Sequence, residues 1–218
     1  MGYNECMSSH AIRVTGPKDR LDYSGTLLVN TTSHNPGDVF SGLSPFRLGP
    51  VELYAGRTAR VMENAWQFAK VYPEYLDGQG NPAGAYWKWA EQGWQRPDAV
   101  RYPKGKGAKP AYLFWDGSHL GYLEARARVY FALYRDAVRQ TAAWKELLRL
   151  VQSGQAVTLW DFDGYDHEAM GWSLAQVLQN PHRPMGHAFV LKAMLLYGED
   201  VSADMVLEKE GCPQANLF

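Results

Sequence analysis

Glu63, Gln67 and Lys70 are spaced i, i+4 and i+7. If that stretch is helical, all three side chains leave one face. Trp66 sits at the edge of this face, while Val61, Met62, Ala65, Phe68, Ala69 and Tyr72 fill the opposite arc. A carboxylate, an amide and an ammonium beside an indole have the chemistry to hold a sugar and activate a water. The plain alternative is an amphipathic helix whose polar face meets solvent.

The densest run of chemical groups is Trp160-Asp161-Phe162-Asp163-Gly164-Tyr165-Asp166-His167. It follows Ala156 to Trp160, which reads as a buried strand, and strand ends are where rigid scaffolds place reactive loops. Three carboxylates within one turn could hold a divalent cation, or divide the work of base and transition-state stabiliser. A solvated turn built on Asp and Gly is the bland reading. The strand-Asp-x-Asp-Gly pattern also resembles magnesium-dependent phosphatases of the haloacid-dehalogenase type, in which the first Asp is the nucleophile. Those enzymes want Thr after the Gly, where this chain has Tyr165. They also need repeated βαβ units downstream, for which only about fifty residues remain.

Arg101, Lys104, Lys106 and Lys109 share a stretch with Tyr102, Gly105 and Gly107. Such a loop could grip a phosphate through flexible cations and exposed amides, although it lacks the spacing and Ser/Thr of a P-loop. An ordinary surface loop would look the same. His187 follows Gly186 at the start of an apolar run, so the residues read as a helix N-terminus able to attract an anion. A histidine satisfied at the edge of the core is equally consistent.

The elements that must carry these groups are mostly helical. The first forty residues read as a strand or two joined by loops, and Val51 to Tyr54 as another short strand. Hydrophobic spacing predicts helices over about 58–72, 119–139 and around Trp144 to Val151, with a short one near Trp87 to Trp94. Two more, near 168–179 and 185–197, close the chain around Asn180-Pro181. The expected fold is therefore mainly α, or α+β, in a single domain with a few short strands. Nothing in the chain suggests an internal repeat or a linker.

Composition narrows the function. At 218 residues and 46% hydrophobic, the chain can bury a sizeable core. A net charge of -1 argues against a broad nucleic-acid surface and favours a small or short single-stranded ligand. Eight Trp and thirteen Tyr supply rings for a core, with some to spare for stacking on a flat ligand. The two cysteines, Cys6 and Cys212, form no disulfide framework or zinc spacing. With no secretory signal and no membrane-length apolar run, the expected compartment is the cytoplasm.

Taken in order, these pieces resemble the NADAR (YbiA-like) family. Its members open with a Phe-Ser-Asn-Phe-x-Pro-Phe stretch, and Phe40-Ser41-Gly42-Leu43-Ser44-Pro45-Phe46 stands in that place. A helix with Glu-x-x-aromatic-Gln-x-x-Lys follows, matched by Glu63, Trp66, Gln67 and Lys70. A strand, an aromatic and acidic turn, and a Leu-Gly-x-x-Leu-Met helix complete the pattern, matched by the strand to Trp160, Asp161 to His167, and Met185-Gly186 through Met194. Gly42 replaces the usual Asn, and Asp163-Gly164-Tyr165 replaces a Trp-Gly turn. The resemblance covers about 40–72 and 119–198, with 73–117 reading as an insertion.

It implies a compact multihelical YbiA-like fold and an N-glycosidase that removes ADP-ribose from guanine, in a nucleotide or a short single-stranded nucleic acid, without metal or redox cofactor. Catalytic roles would fall to Glu63, Lys70 and Asp163. Glu63 would polarise the ribose or activate water, and Lys70 would pair with a phosphate or form a Schiff base with the opened sugar. Substrate binding would involve Ser44, Phe46, Arg47, Trp66, Gln67, Trp160, Asp161, Tyr165, Asp166, His167, Gly186 and His187. A protein that binds ADP-ribose or a modified base without cleaving it has the same residues. An interaction protein is favoured only if the Glu63 face lies open to solvent.

Overall fold

Strand β8 (Val157–Trp160) organises the protein, and its Val157, Thr158 and Leu159 are fully buried. In the computed structural model, which describes residues 11–20 and 22–211, it runs parallel between β1 (Ile12–Thr15) and β2 (Leu27–Asn30). Ile12 and Leu27 both register with Val157. A strand flanked on both edges and covered on its faces can be largely apolar, as β8 is apart from Thr158, whose hydroxyl meets that of Thr26 at 3.1 Å. Both cysteines lie outside the described residues.

Helix α7 (His187–Tyr197) packs on β1 and β8, and every residue from His187 to Leu195 is buried. A helix apolar on nearly all sides belongs inside a domain, and its one lysine, Lys192, pairs there with Glu168 at 2.9 Å. Around it stand α3 (Tyr122–Ala125) and α4 (Phe131–Val138), joined through a π-helical turn at Arg126–Tyr130 into one continuous helix. Helix α5 (Ala142–Gln152) packs on the 3-10 turn Val39–Leu43. Helices α6 (Leu174–Gln179) and α8 (Ala203–Lys209) pack on each other. The described residues thus form one α+β arrangement, with the strands short and the helices dominant.

The helix expected over 58–72 is shorter. Helix α1 spans Met62–Phe68, between β4 (Thr58–Ala59), paired with β3 (Val51–Glu52), and β5 (Lys70–Val71). The cause is tertiary. Arg60 N donates to Trp94 O and Met62 N to Leu48 O, so the chain enters extended. Val71 leaves in register with Tyr112 of β6 (Tyr112–Trp115). Strand pairing here outweighs the apolar periodicity.

Other boundaries moved for similar reasons. The run near 119 begins as β7 (Ser118–Leu120), paired with β6. Residues 168–171 are turns, and α6 starts only at the capping box of Ser173 and Gln176. Helix α8, capped by Ser202, was not expected from the sequence.

The segment 73–117 is woven into the domain. It supplies β6 and α2 (Gly84–Trp94), and α2 packs on α1 with Tyr86 and Trp94 buried. The approach requires Gly93: a Cβ there would lie 1.9 Å from the Phe68 ring.

Beneath α7 the core holds a titratable group. His167 is 2% exposed, and its ring meets Phe189 edge-on at 5.4 Å. Burial first, then the nearby Lys192 ammonium, pushes its pKa from 6.5 to about 3. Between those values the unfolded chain takes up a proton that the native protein refuses, so stability falls as pH drops through this window. At pH 5 the loss is about 2 kcal/mol. Urea titrations of His167→Phe should show a smaller decline in stability between pH 7 and 5 than the wild type; an equal decline would place the acid sensitivity elsewhere.

Candidate functional site

A cleft of about 360 Å³ opens between α1, the π-helical turn, the loop after β8 and the N-terminus of α7. The chain around Ser44 to Leu48 seats α1 beside it: Glu63 N donates to Pro45 O at 3.1 Å. Ser44 is fully buried, and its Oγ accepts from Phe46 N at 3.4 Å, bracing the turn that brings Phe46 to the cleft.

Glu63 lies on the floor, 5% exposed, so the face it marks is neither open to solvent nor in the apolar core. Its Oε1 accepts from Gln67 Nε2 at 2.9 Å, and Gln67 Oε1 accepts from Lys70 Nζ at 2.7 Å. This relay survives although Lys70 belongs to β5 rather than to the helix. Burial raises the Glu63 carboxyl above its ordinary 4.5, against the lowering effects of the Gln67 hydrogen bond and the Lys70 and Arg101 charges. Burial also lowers Lys70 from 10.5 to about 8, opposed by Glu63. The Lys70 ammonium stands 5.1 Å from the Trp66 ring centroid, and Trp66 meets Tyr130 edge-on at 5.2 Å.

The wall is built on Asp161, 2% exposed. Its Oδ1 accepts from Asp163 N at 2.9 Å and its Oδ2 from Ala188 N at 2.9 Å. His187 Nδ1 is 3.1 Å from the same Oδ2, and His187 Nε2 is 2.9 Å from Thr31 O. A carbonyl oxygen can only accept, so Nε2 carries a proton. Gly186 makes the approach possible, because a Cβ there would lie 2.3 Å from Asp161 Oδ2. Asp161 thus ties the loop after β8 to the start of α7. Both its oxygens are engaged by backbone amides, which does not suit the free nucleophile of a phosphatase.

Asp163 stands at the mouth, where its Oδ2 accepts from Arg101 Nη2 at 2.6 Å. Of the four cations in the basic loop, Arg101 alone lines the cleft; Lys104 pairs with Glu74 at 2.6 Å. The loop is held by Asn64, the fully buried neighbour of Glu63. Its amide donates to Arg96 O and Asp98 O at 3.3 and 2.9 Å and accepts from Val100 N at 2.8 Å.

Phe46, Trp66, Gln67, Asp161, Gly186 and His187 therefore line the cleft with Glu63, Lys70 and Asp163. Six expected residues lie away from its lining. Besides Ser44, Arg47 reaches back to His34 O at 3.1 Å, and Trp160 packs against Phe162. Tyr165 and His167 turn inward onto Phe189, and Asp166 pairs with Arg13 at 3.2 Å. The loop after β8 splits its side chains between cleft and core, which its sequence does not reveal.

Tyr102, Tyr122, Arg126, Tyr130 and Phe162 also line the cleft but were not expected there. Among the described residues, Tyr102, Tyr122 and Phe162 are the only exposed aromatic residues, at 48%, 51% and 60%. Three exposed rings around one opening have the chemistry to stack on a flat ligand. Arg126 is buried in the π-helical turn, a feature frequent at functional sites. It donates to the carbonyls of Val177, Leu178, Asn180 and Arg183 and to Tyr122 Oη. It therefore holds the segment that leads into Gly186.

No family model, curated protein or solved structure matches the chain.

Proposed function

We propose that the cleft hydrolyses the N-glycosidic bond between a base and ADP-ribose or a related phosphoribosyl sugar, as the resemblance to the NADAR family implies. The observation that carries this reading is the buried Glu63 carboxyl on the floor of a cleft that also holds cations and rings. Breaking an N-glycosidic bond builds positive charge on the sugar, which a fixed carboxylate stabilises. A carboxyl raised by burial holds its proton to higher pH than a free one, which suits it to exchange a proton with water. Gln67 holds the carboxylate in place, while Trp66 and Phe46 offer faces for the base. Lys70 and Arg101 supply positive charge for the phosphates. Asp163 is the second carboxylate within reach of the ribose.

Lys70 gives the reading a pH signature. Its charge is present below about 8 and lost above, more than two units earlier than for an ordinary lysine. The affinity for ADP-ribose should fall as pH rises through 8, and Lys70→Arg should remove that break by keeping the charge. A wild-type affinity flat from pH 7 to 9.5 would contradict the role. A turnover rate that instead rises through pH 8 would favour Lys70 as a Schiff-base amine.

A panel of ADP-ribosylated guanosine, the same base in a short single-stranded oligonucleotide, and NAD tests the function. Catalytic release of ADP-ribose from at least one member is expected without added metal. Tight binding with every ligand recovered intact would turn the cleft into a sensor rather than an enzyme.

A further inference from the structure

We propose that Arg101 receives a phosphate of the ligand and that its ion pair with Asp163 is an exchangeable latch, opened by the incoming anion. The inference deepens the reading of the cleft given above and rests on it for the identity of the ligand.

Three cations line the cleft, and they are not equivalent. Arg126 spends its donors on four carbonyls and a phenol, and is 2% exposed. Lys70 donates to Gln67 at the floor. Arg101 stands at the mouth, and among the described residues its one hydrogen bond goes to Asp163 through a single nitrogen. The two side chains are 29% and 35% exposed. A one-contact pair so open to water contributes little stability and is readily exchanged.

A phosphate offers the guanidinium more. The pyrophosphate of such a ligand carries two negative charges against the carboxylate's one, and its oxygens can accept two parallel N–H donors from the planar fork where Asp163 accepts one. The guanidinium is held over the opening by two rings, with its carbon 5.3 Å from the Tyr102 centroid and 5.7 Å from that of Phe162. Displacement leaves Asp163 where it is needed. Its backbone is pinned by the Asp161 carboxylate, so only the side chain turns, towards the site where the ribose would lie. Anion binding at the mouth would thereby release a carboxylate inside.

Asn64 is the positioning residue of this device. Its three hydrogen bonds fix 96–100 against α1, the helix that presents Glu63 one residue earlier. One helix therefore sets the distance between the reacting end of the ligand and its anionic end. The ligand class is a phosphate or pyrophosphate ester of a nucleoside, rather than a bare nucleoside.

Calorimetric titration with ADP-ribose, adenosine and inorganic pyrophosphate tests this at fixed salt. Arg101→Ala should weaken ADP-ribose and pyrophosphate by about 10- to 100-fold and leave adenosine unchanged, with Arg101→Lys in between. Asp163→Asn should tighten pyrophosphate, which has no ribose for Asp163 to meet, by about threefold or more, because the competing charge is gone. Asn64→Ala should weaken ADP-ribose in the wild type but add nothing in the Arg101→Ala background. Unchanged anion binding by Arg101→Ala, or weaker pyrophosphate binding by Asp163→Asn, overturns the latch. Arg101-dependent binding of pyrophosphate without binding of ADP-ribose leaves the latch standing and removes the glycosidase reading. ADP-ribose binding indifferent to Arg101 does the reverse, and no binding of either anion removes both.

Discussion

Glu63→Gln should lower turnover by about 10²- to 10⁴-fold in a protein that stays folded and still binds its ligand. The amide is nearly isosteric with the carboxyl, and its oxygen can accept the bond that Gln67 Nε2 now gives to Glu63 Oε1 at 2.9 Å. What disappears is the charge that would stabilise the sugar cation and the group that would exchange a proton with water. The same substitution should not destabilise the protein at neutral pH. Burial raises the Glu63 carboxyl, so ionising it costs the folded state stability that is present below the unfolded pKa and lost as pH rises through the folded one. The variant should therefore unfold at an equal or higher temperature at pH 7, with the difference closing below about pH 4. Single-turnover kinetics beside thermal unfolding measure both effects. Wild-type turnover in the folded variant would take Glu63 out of the chemistry.

Asp161→Ala should cost about 3–5 kcal/mol of stability, the largest structural effect expected of a polar residue in the site. The carboxylate accepts from Asp163 N and Ala188 N and lies 3.1 Å from His187 Nδ1, all in a nearly dry setting. Removing it leaves two buried amides unsatisfied at the junction of loop and helix. Asp161→Asn should lose less, because its one remaining carbonyl oxygen can serve one of the two amides. Gly186→Ala should share the defect by another route, since its Cβ would collide with the Asp161 carboxylate. Urea unfolding of the three variants checks the order. A loss under about 1 kcal/mol for Asp161→Ala would mean that Asp161 is not the brace its hydrogen bonds describe.

The site could be read in the sequence where it depends on local spacing, and was missed where it depends on distant contacts. Glu63 and Gln67 need only one turn of helix to meet, so their i, i+4 relation carried over intact. Lys70 was assigned by extending that helix, yet it reaches Gln67 from a strand, because pairing with β6 is invisible to a local pattern. The run from Asp161 to His167 reads in the sequence as one cluster of chemical groups. Its division into Asp161 and Asp163 at the cleft, Tyr165 and His167 in the core, and Asp166 on Arg13 follows from the close approach of Gly164 to Thr15 O, where a Cβ would lie only 2.2 Å away. The basic loop reads as a possible phosphate grip, but of its cations only Arg101 lines the cleft, in a segment held by Asn64, an unremarked polar residue of α1. For the fold, strand β8 and helix α7 were plain because burial on all sides leaves runs that are apolar but for Thr158 in the strand and His187 and Lys192 in the helix. The two-residue strands were not, because they consist of little more than their partners.

Which bond breaks is best decided by quenched mass spectrometry of the wild-type protein with ADP-ribosylated guanosine, run beside Glu63→Gln. The expected products are intact ADP-ribose and unmodified guanosine from the wild type, with the substrate unchanged in the variant. Products split at the pyrophosphate, such as AMP with a phosphoribosyl-guanosine, would contradict glycosidic cleavage, as would equal release of ADP-ribose by the two proteins.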